Sequence, residues 1–425
     1  MKLLYVIHQY FPDCHSGTEQ YCLAAAREAR RRGDEVTILA LHWDHDRDWP
    51  PIFTLEQSYD DTRVIRLNHW RRINPNDVLR DYDNRHLEGH FRAVLDDVRP
   101  DAVHFFHLRQ LGSGLIPVAK RWGARVVVSL TDFWFLCPRF TLLRGDGTLC
   151  DGPPEGGRGC VRCLHPDLAG VRAAGGDPAL SSDPPARLQA LLQRLEVQLR
   201  HLRAADAVLA PSRFLARMFE RNGFAARMQV VPYGLEPGRV HAAAVTRPRT
   251  PLRLAFCGVL SPWKAPHVVI DAVRRTSAAV TLTVHGRLEE PTFADYIADL
   301  RRRAGDDPRI RFAGPYDRTQ IDQVFADMDL LVVPSTWYEN TPFVVLEAFE
   351  AQVPVLASDL GGLSEVVQEG RGGWLFPAGD AAALAQRIER IAGDPGAFAR
   401  LRPEPVPQIA GNYAQFLLGY RGSSR

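Results

Sequence analysis

Asp329-Leu330-Leu331-Val332-Val333-Pro334, followed from Trp337 by Trp-Tyr-Glu-Asn-Thr-Pro-Phe-Val-Val-Leu-Glu-Ala as far as Ala348, decides how this chain is read. The first run is short, apolar and rich in β-branched residues, as a buried strand is. Pro342 lacks an N–H and has a preset φ, which suits the first turn of a helix, with Asn340 or Thr341 as its cap. A helix is therefore expected from Pro342 to Ala351, with Glu339 in the loop before it and Glu347 in its second turn. Open parallel sheets bind ligands beyond the carboxyl ends of their strands. A helix start there offers N–H groups and a positive dipole end to a phosphate. The stretch thus combines a phosphate seat with a hydroxyl-binding carboxylate on either side, an arrangement suited to a nucleotide sugar. Two solvated glutamates around a helix start are the plainer reading of the same residues.

Working outward, the same alternation fills the chain. Strands are expected at Leu3–Ile7, Glu35–Leu41, Asp101–His107 and Ala124–Leu130, with a helix from Thr18 to Arg32. After a Pro- and Arg-rich linker near Pro237–Pro251, strands recur at Leu252–Cys257, Val280–His285, Arg309–Ala313, Leu330–Pro334 and Val353–Ala357, separated by helical patterns. Strict alternation predicts an α/β fold with doubly wound parallel sheets. With 425 residues the natural division is two domains. They are expected at 1–245 and 246–400, with a C-terminal helix in 401–425 crossing back to the first. No G-x-G-x-x-G follows the first strand, which argues against a dinucleotide oxidoreductase.

Glu-x7-Glu after a Pro-Ser strand end resembles the donor site of glycosyltransferase family 4, the retaining enzymes of the GT-B fold, in which two Rossmann-like domains face a central cleft. That resemblance implies that Glu339 touches the transferred sugar and Glu347 the nucleotide ribose. Asn340, Thr341, Pro342 and Phe343 would then hold the diphosphate. Phe256-Cys257-Gly258-Val259-Leu260 ending in Trp263-Lys264 resembles the family's strand–Gly–loop–Lys element. Gly258 would let the backbone approach the ligand, and Lys264, one of only three lysines, would neutralise the phosphates. The family commonly has Arg after that glycine, where this chain has Val259. Gly17 stands where members carry a Gly-rich loop near the diphosphate. Thr131-Asp132 replaces the frequent His-Asp, leaving Asp132 to orient an acceptor or accept a proton. Trp70, Arg71 and Arg72 fall in the variable acceptor-facing region, read from Asp44 to Asn84 as polar. The loop Ser358–Glu365 resembles the one after the donor helix, with Glu365 in a supporting role.

Cys137, Cys150, Cys160 and Cys163 lie in a Gly/Pro-rich insertion, 137–164, with spacing C-x12-C-x9-C-x2-C. Four thiols in a loop with little to bury suit a structural Zn²⁺, and a closed four-thiolate shell leaves no position open for chemistry. No catalytic metal is expected by the resemblance. The net charge of +2 gives no warrant for nucleic-acid binding. No apolar run approaches the ~20 residues of a membrane span. A cytoplasmic location is expected, and the resemblance implies a peripheral position at the inner membrane face. The function implied is transfer of a sugar from a UDP- or GDP-sugar to a glycan or lipid-linked acceptor, in surface polysaccharide or glycan assembly. A nucleotide-sugar epimerase or hydrolase of the same fold, and an inactive nucleotide-sugar-binding scaffold, are the alternatives.

Overall fold

A computed structural model describes residues 1–42, 52–69, 78–168, 170–172, 184–241, 249–394, 396–401 and 405–422. Trp70, Arg71 and Arg72 lie outside them. The chain divides into two compact units, Met1–Gly234 with Ile409–Arg425, and Leu235–Gln408.

The first unit is built on β1 (Lys2–Ile7), β2 (Glu35–His42), β3 (Ile52–Tyr59), β4 (Thr62–His69), β5 (Ala102–Phe105), β6 (Arg125–Ser129), β7 (Ala207–Ala210) and β8 (Gln229–Val230). Their order across the sheet is β3-β4-β2-β1-β5-β6-β7-β8. Every pairing is parallel except β3 with β4. β1 is buried from Leu3 to Ile7, as expected of a strand covered on both faces. Helix α1 (Gly17–Arg31) follows it.

The polar reading of 44–84 missed the β3–β4 hairpin. Its turn, Asp60-Asp61, takes φ of 51° and 52°, the left-handed pair that hairpin turns need. β3 is largely half-buried or exposed, so its apolar alternation is weak.

The second unit contains β9 (Leu252–Cys257), β10 (Val280–His285), β11 (Ile310–Gly314), β12 (Leu330–Val333), β13 (Val355–Ser358) and β14 (Gly373–Phe376), ordered β11-β10-β9-β12-β13-β14. All its pairings are parallel. Helix α2 (Phe343–Glu350) lies between β12 and β13. Apolar clusters fill the unit, one joining Leu254, Val269 and Val284, another joining Val240, Ala255, Val345 and Val355. The division at Gly234/Leu235 lies before the Pro- and Arg-rich stretch. Leu235 N–H donates to the Pro407 carbonyl (2.9 Å), and Val240 is buried with Ala255 and Val345. Those contacts tie 235–240 and 405–408 to the second unit.

Helix α3 (Ile409–Arg421) belongs to the first unit. Tyr413, Phe416 and Tyr420 are buried, an aromatic load worth roughly 2–3 kcal/mol per fully buried ring. The Tyr420 hydroxyl lies 2.6 Å from Nδ1 of His104, and the other ring nitrogen is 2.8 Å from Ser129 Oγ. Burial pushes the His104 imidazole down to about 3, so it stays neutral inside the sheet. Gly419 is required here, because a Cβ would sit 2.8 Å from a Val127 methyl.

In both sheets chain order reverses beside a central strand, between β1 and β5 in the first and between β9 and β12 in the second. Such a switch point opens a crevice at the carboxyl ends of the strands. Both groups of functional residues lie there.

Candidate active site

In the second unit β12 delivers Pro334 and Ser335 to the sheet edge, and the chain turns through Trp337 and Glu339 before α2 begins. The helix starts one residue later than expected. Pro342 has φ −63° and ψ 128°, so it occupies the cap position, where no side chain caps the N–H groups. The ring of Pro342 disfavours helical geometry in Thr341 before it, and its own extended ψ sets Phe343 as the first helical residue. The Thr341 hydroxyl is buried without a hydrogen-bond partner among the described residues.

Glu339 is 5% exposed. Its Oε1 accepts from Lys264 Nζ (2.5 Å), Ser335 Oγ (2.8 Å) and Trp337 Nε1 (2.8 Å). Three donors on one oxygen hold the carboxylate in a single orientation. Lys264 reaches it from the loop after β9, with its ammonium 5.5 Å from the Trp337 ring centre. Trp263 supports that loop from the other side, its carbonyl accepting from Thr336 N–H (2.8 Å) and its ring packed edge-on against Phe293. Gly258 follows β9 and donates its N–H to the His285 carbonyl (3.1 Å). Gly286 packs against it so closely that a Cβ would lie 2.4 Å from the Gly258 carbonyl oxygen. Val259 is 55% exposed, with no charge to lend.

The loop after β13 braces the same turn. Gly362 N–H donates to the Glu339 carbonyl (2.8 Å), and a Cβ on Gly362 would collide with the Asn340 carbonyl at 1.9 Å. Ser364 Oγ donates to Asp359 Oδ1 (2.6 Å), keeping the loop closed on itself. Glu347, in the second turn of α2, is buried and accepts from Arg239 Nε (2.6 Å) and Nη2 (2.5 Å). Near it, burial pushes the Cys257 thiol up to about 12 beside Tyr316. The structure thus brings Gly258, Lys264, Glu339, Asn340–Phe343 and Glu347 to one sheet edge. Arg239 was missed because it lies in a stretch that reads as linker.

In the first unit His8 follows β1, His107 follows β5 and Asp132 follows β6. Asp132 Oδ2 accepts from His107 Nε2 (2.9 Å), and its Oδ1 accepts from Trp134 N–H (2.7 Å). Arg109 N–H donates to His107 Nδ1 (3.2 Å), which places the imidazole proton on Nε2. The His8 ring packs against that of His107 at 4.1 Å between centres, tilted by 41°. Burial, then the nearby His107 and Arg109, hold His8 well below the usual imidazole range. Its Nδ1 has no hydrogen-bond partner among the described residues. An imidazole thus stands beside Asp132 on the neighbouring strand, through His107, which reads in sequence as the end of an apolar run. Gly17 opens α1, following Ser16, whose extended backbone ends the preceding loop.

The four cysteines line one small cavity with Leu143, Pro154 and Leu164. Cys150 points its thiol at the Gly152 carbonyl (3.1 Å), and burial pushes the Cys160 thiol up to about 12. Among the described residues no group of three or more His, Cys, Asp or Glu is placed to hold a metal ion. The zinc centre expected from the spacing is therefore not formed in this structure.

Residues 251–394 match the family model of glycosyl transferases group 1, and residues 15–239, over half of the chain, match that of Glycosyltransferase Family 4. The chain belongs to glycosyltransferase family 4. It is 35% identical over 179 residues to a glycogen synthase of Mycobacterium tuberculosis, an alignment spanning 41% of this chain and 42% of that protein. It is 30% identical over 202 residues to a D-inositol 3-phosphate glycosyltransferase of Nocardia farcinica, with 44% of each covered. These alignments span less than half the length of the relatives. Anabaena Alr3699/HepE, solved in complex with UDP and glucose, shares the fold with a TM-score of 0.62 at 18% identity, over 98% of this chain and 95% of that one. These family matches and fold likenesses are those of the GT-B type. Among the described residues no helix is long and apolar enough to cross a membrane.

Proposed function

We propose that this family 4 member transfers a sugar, with retention at the anomeric carbon, from a nucleoside diphosphate sugar to an acceptor hydroxyl during glycan assembly. The convergence of Lys264, Ser335 and Trp337 on Glu339, one turn from the α2 start, carries the reading. It holds a cation and a rigid carboxylate beside a helix start, where a buried Thr341 hydroxyl is left without a partner.

In this reading the diphosphate lies against the Asn340–Phe343 backbone. Lys264, paired with Glu339, turns its ammonium to the phosphates. Glu339 keeps hydroxyls of the sugar, and Glu347 those of the ribose. As the bond from the anomeric carbon to the phosphate oxygen breaks, negative charge grows on the diphosphate. Lys264 and the helix start are already placed to meet it. The acceptor oxygen bonds to the same face of that carbon, and its proton passes to the departing phosphate oxygen. Asp132, fixed by His107 and the Trp134 N–H, is assigned to the acceptor, orienting the hydroxyl that receives the sugar. The chain's own residues supply the cation at the diphosphate, which is Lys264's role. UDP is the favoured nucleotide, since HepE is described with UDP. A cytoplasmic, membrane-peripheral setting accompanies this reading.

A thermal-shift series with UDP-, GDP- and ADP-sugars tests it, because a ligand of the native state raises apparent stability. One of the three donors is expected to raise the melting temperature in wild type and to lose that effect in Lys264→Ala. No shift with any of them removes the donor site.

A further inference from the structure

The Arg239–Glu347 pair is not accounted for by anything above. Arg239 is 3% exposed in its side chain and Glu347 8%. Burying two charges costs several kcal/mol per ion unless their geometry repays it. Here the guanidinium sends two N–H groups to the same oxygen, Oε1, at 2.6 and 2.5 Å. It also lies 5.5 Å from the ring centre of Phe343, the first residue of α2, so it spans the first and second turns of the helix. The segment that carries it is anchored just beyond it. Val240 is buried beside Ala255 and Val345, and His241 N–H donates to Asp322 Oδ1 (2.7 Å). Arg239 is therefore held in place by the second unit itself.

We propose that Arg239 is a positioning residue of the donor site, fixing the Glu347 carboxylate for the vicinal hydroxyls of a ribose. A carboxylate on a helix has several rotamers, and only some aim both lone pairs at a sugar edge. A rigid two-pronged clamp on one oxygen selects one of them, and Lys, with a single-point ammonium, does not reproduce the fork. This inference rests on Glu347 being the ribose carboxylate.

The test is calorimetric titration of the full chain with UDP, GDP and ADP, followed by the 2′,3′-dideoxy form of whichever binds most tightly. Wild type is expected to bind the dideoxy form roughly tenfold or more weakly, the loss of a hydrogen bond to a charged group. Arg239→Met is expected to bind both forms alike, whatever its overall stability. An Arg239→Met ratio equal to that of wild type overturns the proposal and leaves the Glu347 assignment standing. Equal binding of both forms by wild type, or no binding of any diphosphate, removes the Glu347 assignment and the proposal with it. Should Arg239→Met not fold, Arg239→Lys reads the same ratio. A smaller ratio than in wild type is expected, and an unchanged one overturns the role.

Discussion

The crevice edge of the second unit and that of the first solve opposite problems. At the edge after β9 and β12, positive groups wait on carboxylates, Lys264 on Glu339 and Arg239 on Glu347. At the edge after β1, β5 and β6, the cluster is one carboxylate and two imidazoles, one of them kept uncharged by burial. On the proposed reading the first arrangement suits a multiply charged anion, because Lys264 is pre-placed and needs only to exchange its partner while Arg239 stays fixed on Glu347. The second offers a carboxylate and a tilted pair of imidazoles, which on the same reading suits uncharged hydroxyls. The same topological position thus acquires two chemistries from the residues that end its strands.

If the contrast is right, removing a cation from the second edge does the greatest damage. Lys264→Ala is expected to lower turnover of the donor about 10²–10³-fold, measured as release of nucleoside diphosphate. Activity near wild type would erase the distinction between the edges. At the first edge, Asp132→Asn is expected to slow transfer to an acceptor about 10²-fold while leaving UDP affinity unchanged by calorimetry. A matching loss of UDP affinity would move Asp132 into the donor site. Gly362→Ala forces a Cβ against the Asn340 carbonyl, so a loss of about 2 kcal/mol in denaturant unfolding is expected, together with weaker UDP binding. An unchanged midpoint and affinity would show that the loop after β13 does not brace the turn.

The smallest effect is one of pH, and it belongs to the first unit. Burial keeps His104 neutral when folded, so below pH ~6.5 the unfolded chain binds the proton that the folded one refuses. The stability is complete above that pH and falls as pH drops toward 3. At pH 5.5 the loss from His104 alone is about 1.3 kcal/mol relative to pH 7. Urea titrations at pH 7 and 5.5 check it, and His104→Gln is expected to shrink the difference. An undiminished difference in that variant would assign it to other groups.

Much of this was legible in the sequence, for physical reasons that differ by element. Buried parallel strands such as β1 and β12 are continuous apolar runs, so their positions along the chain follow from the apolar pattern. The positions of Glu339 and Glu347 around a helix start were legible from the strand and proline beside them, while Lys264 was singled out only by the resemblance of Phe256–Lys264 to the family's element. The β3–β4 hairpin was not, because a half-exposed edge strand carries little periodicity and Asp-Asp is a weak turn signal. Pro342 was placed one position too deep, since its ring suits either the first turn or the residue before it. His107 and Arg239 escaped for a common reason: their importance lies in a partner 25 and 108 residues away, and spacing along the chain does not encode that. The cysteine spacing did foreshadow four thiols around one cavity, but among the described residues no group of three or more ligands is placed to hold a metal ion.

The return of α3 to the first unit has a consequence for how the polypeptide matures. Phe416 and Tyr420 leave the ribosome only after all of Leu235–Gln408 has been made, so the half that is begun first must be finished last. Until then its sheet carries an uncovered apolar floor around His104, a surface that a holdase would recognise. A halt in translation near residue 408 should strand the newborn chain in that sticky state, with its later half already folded.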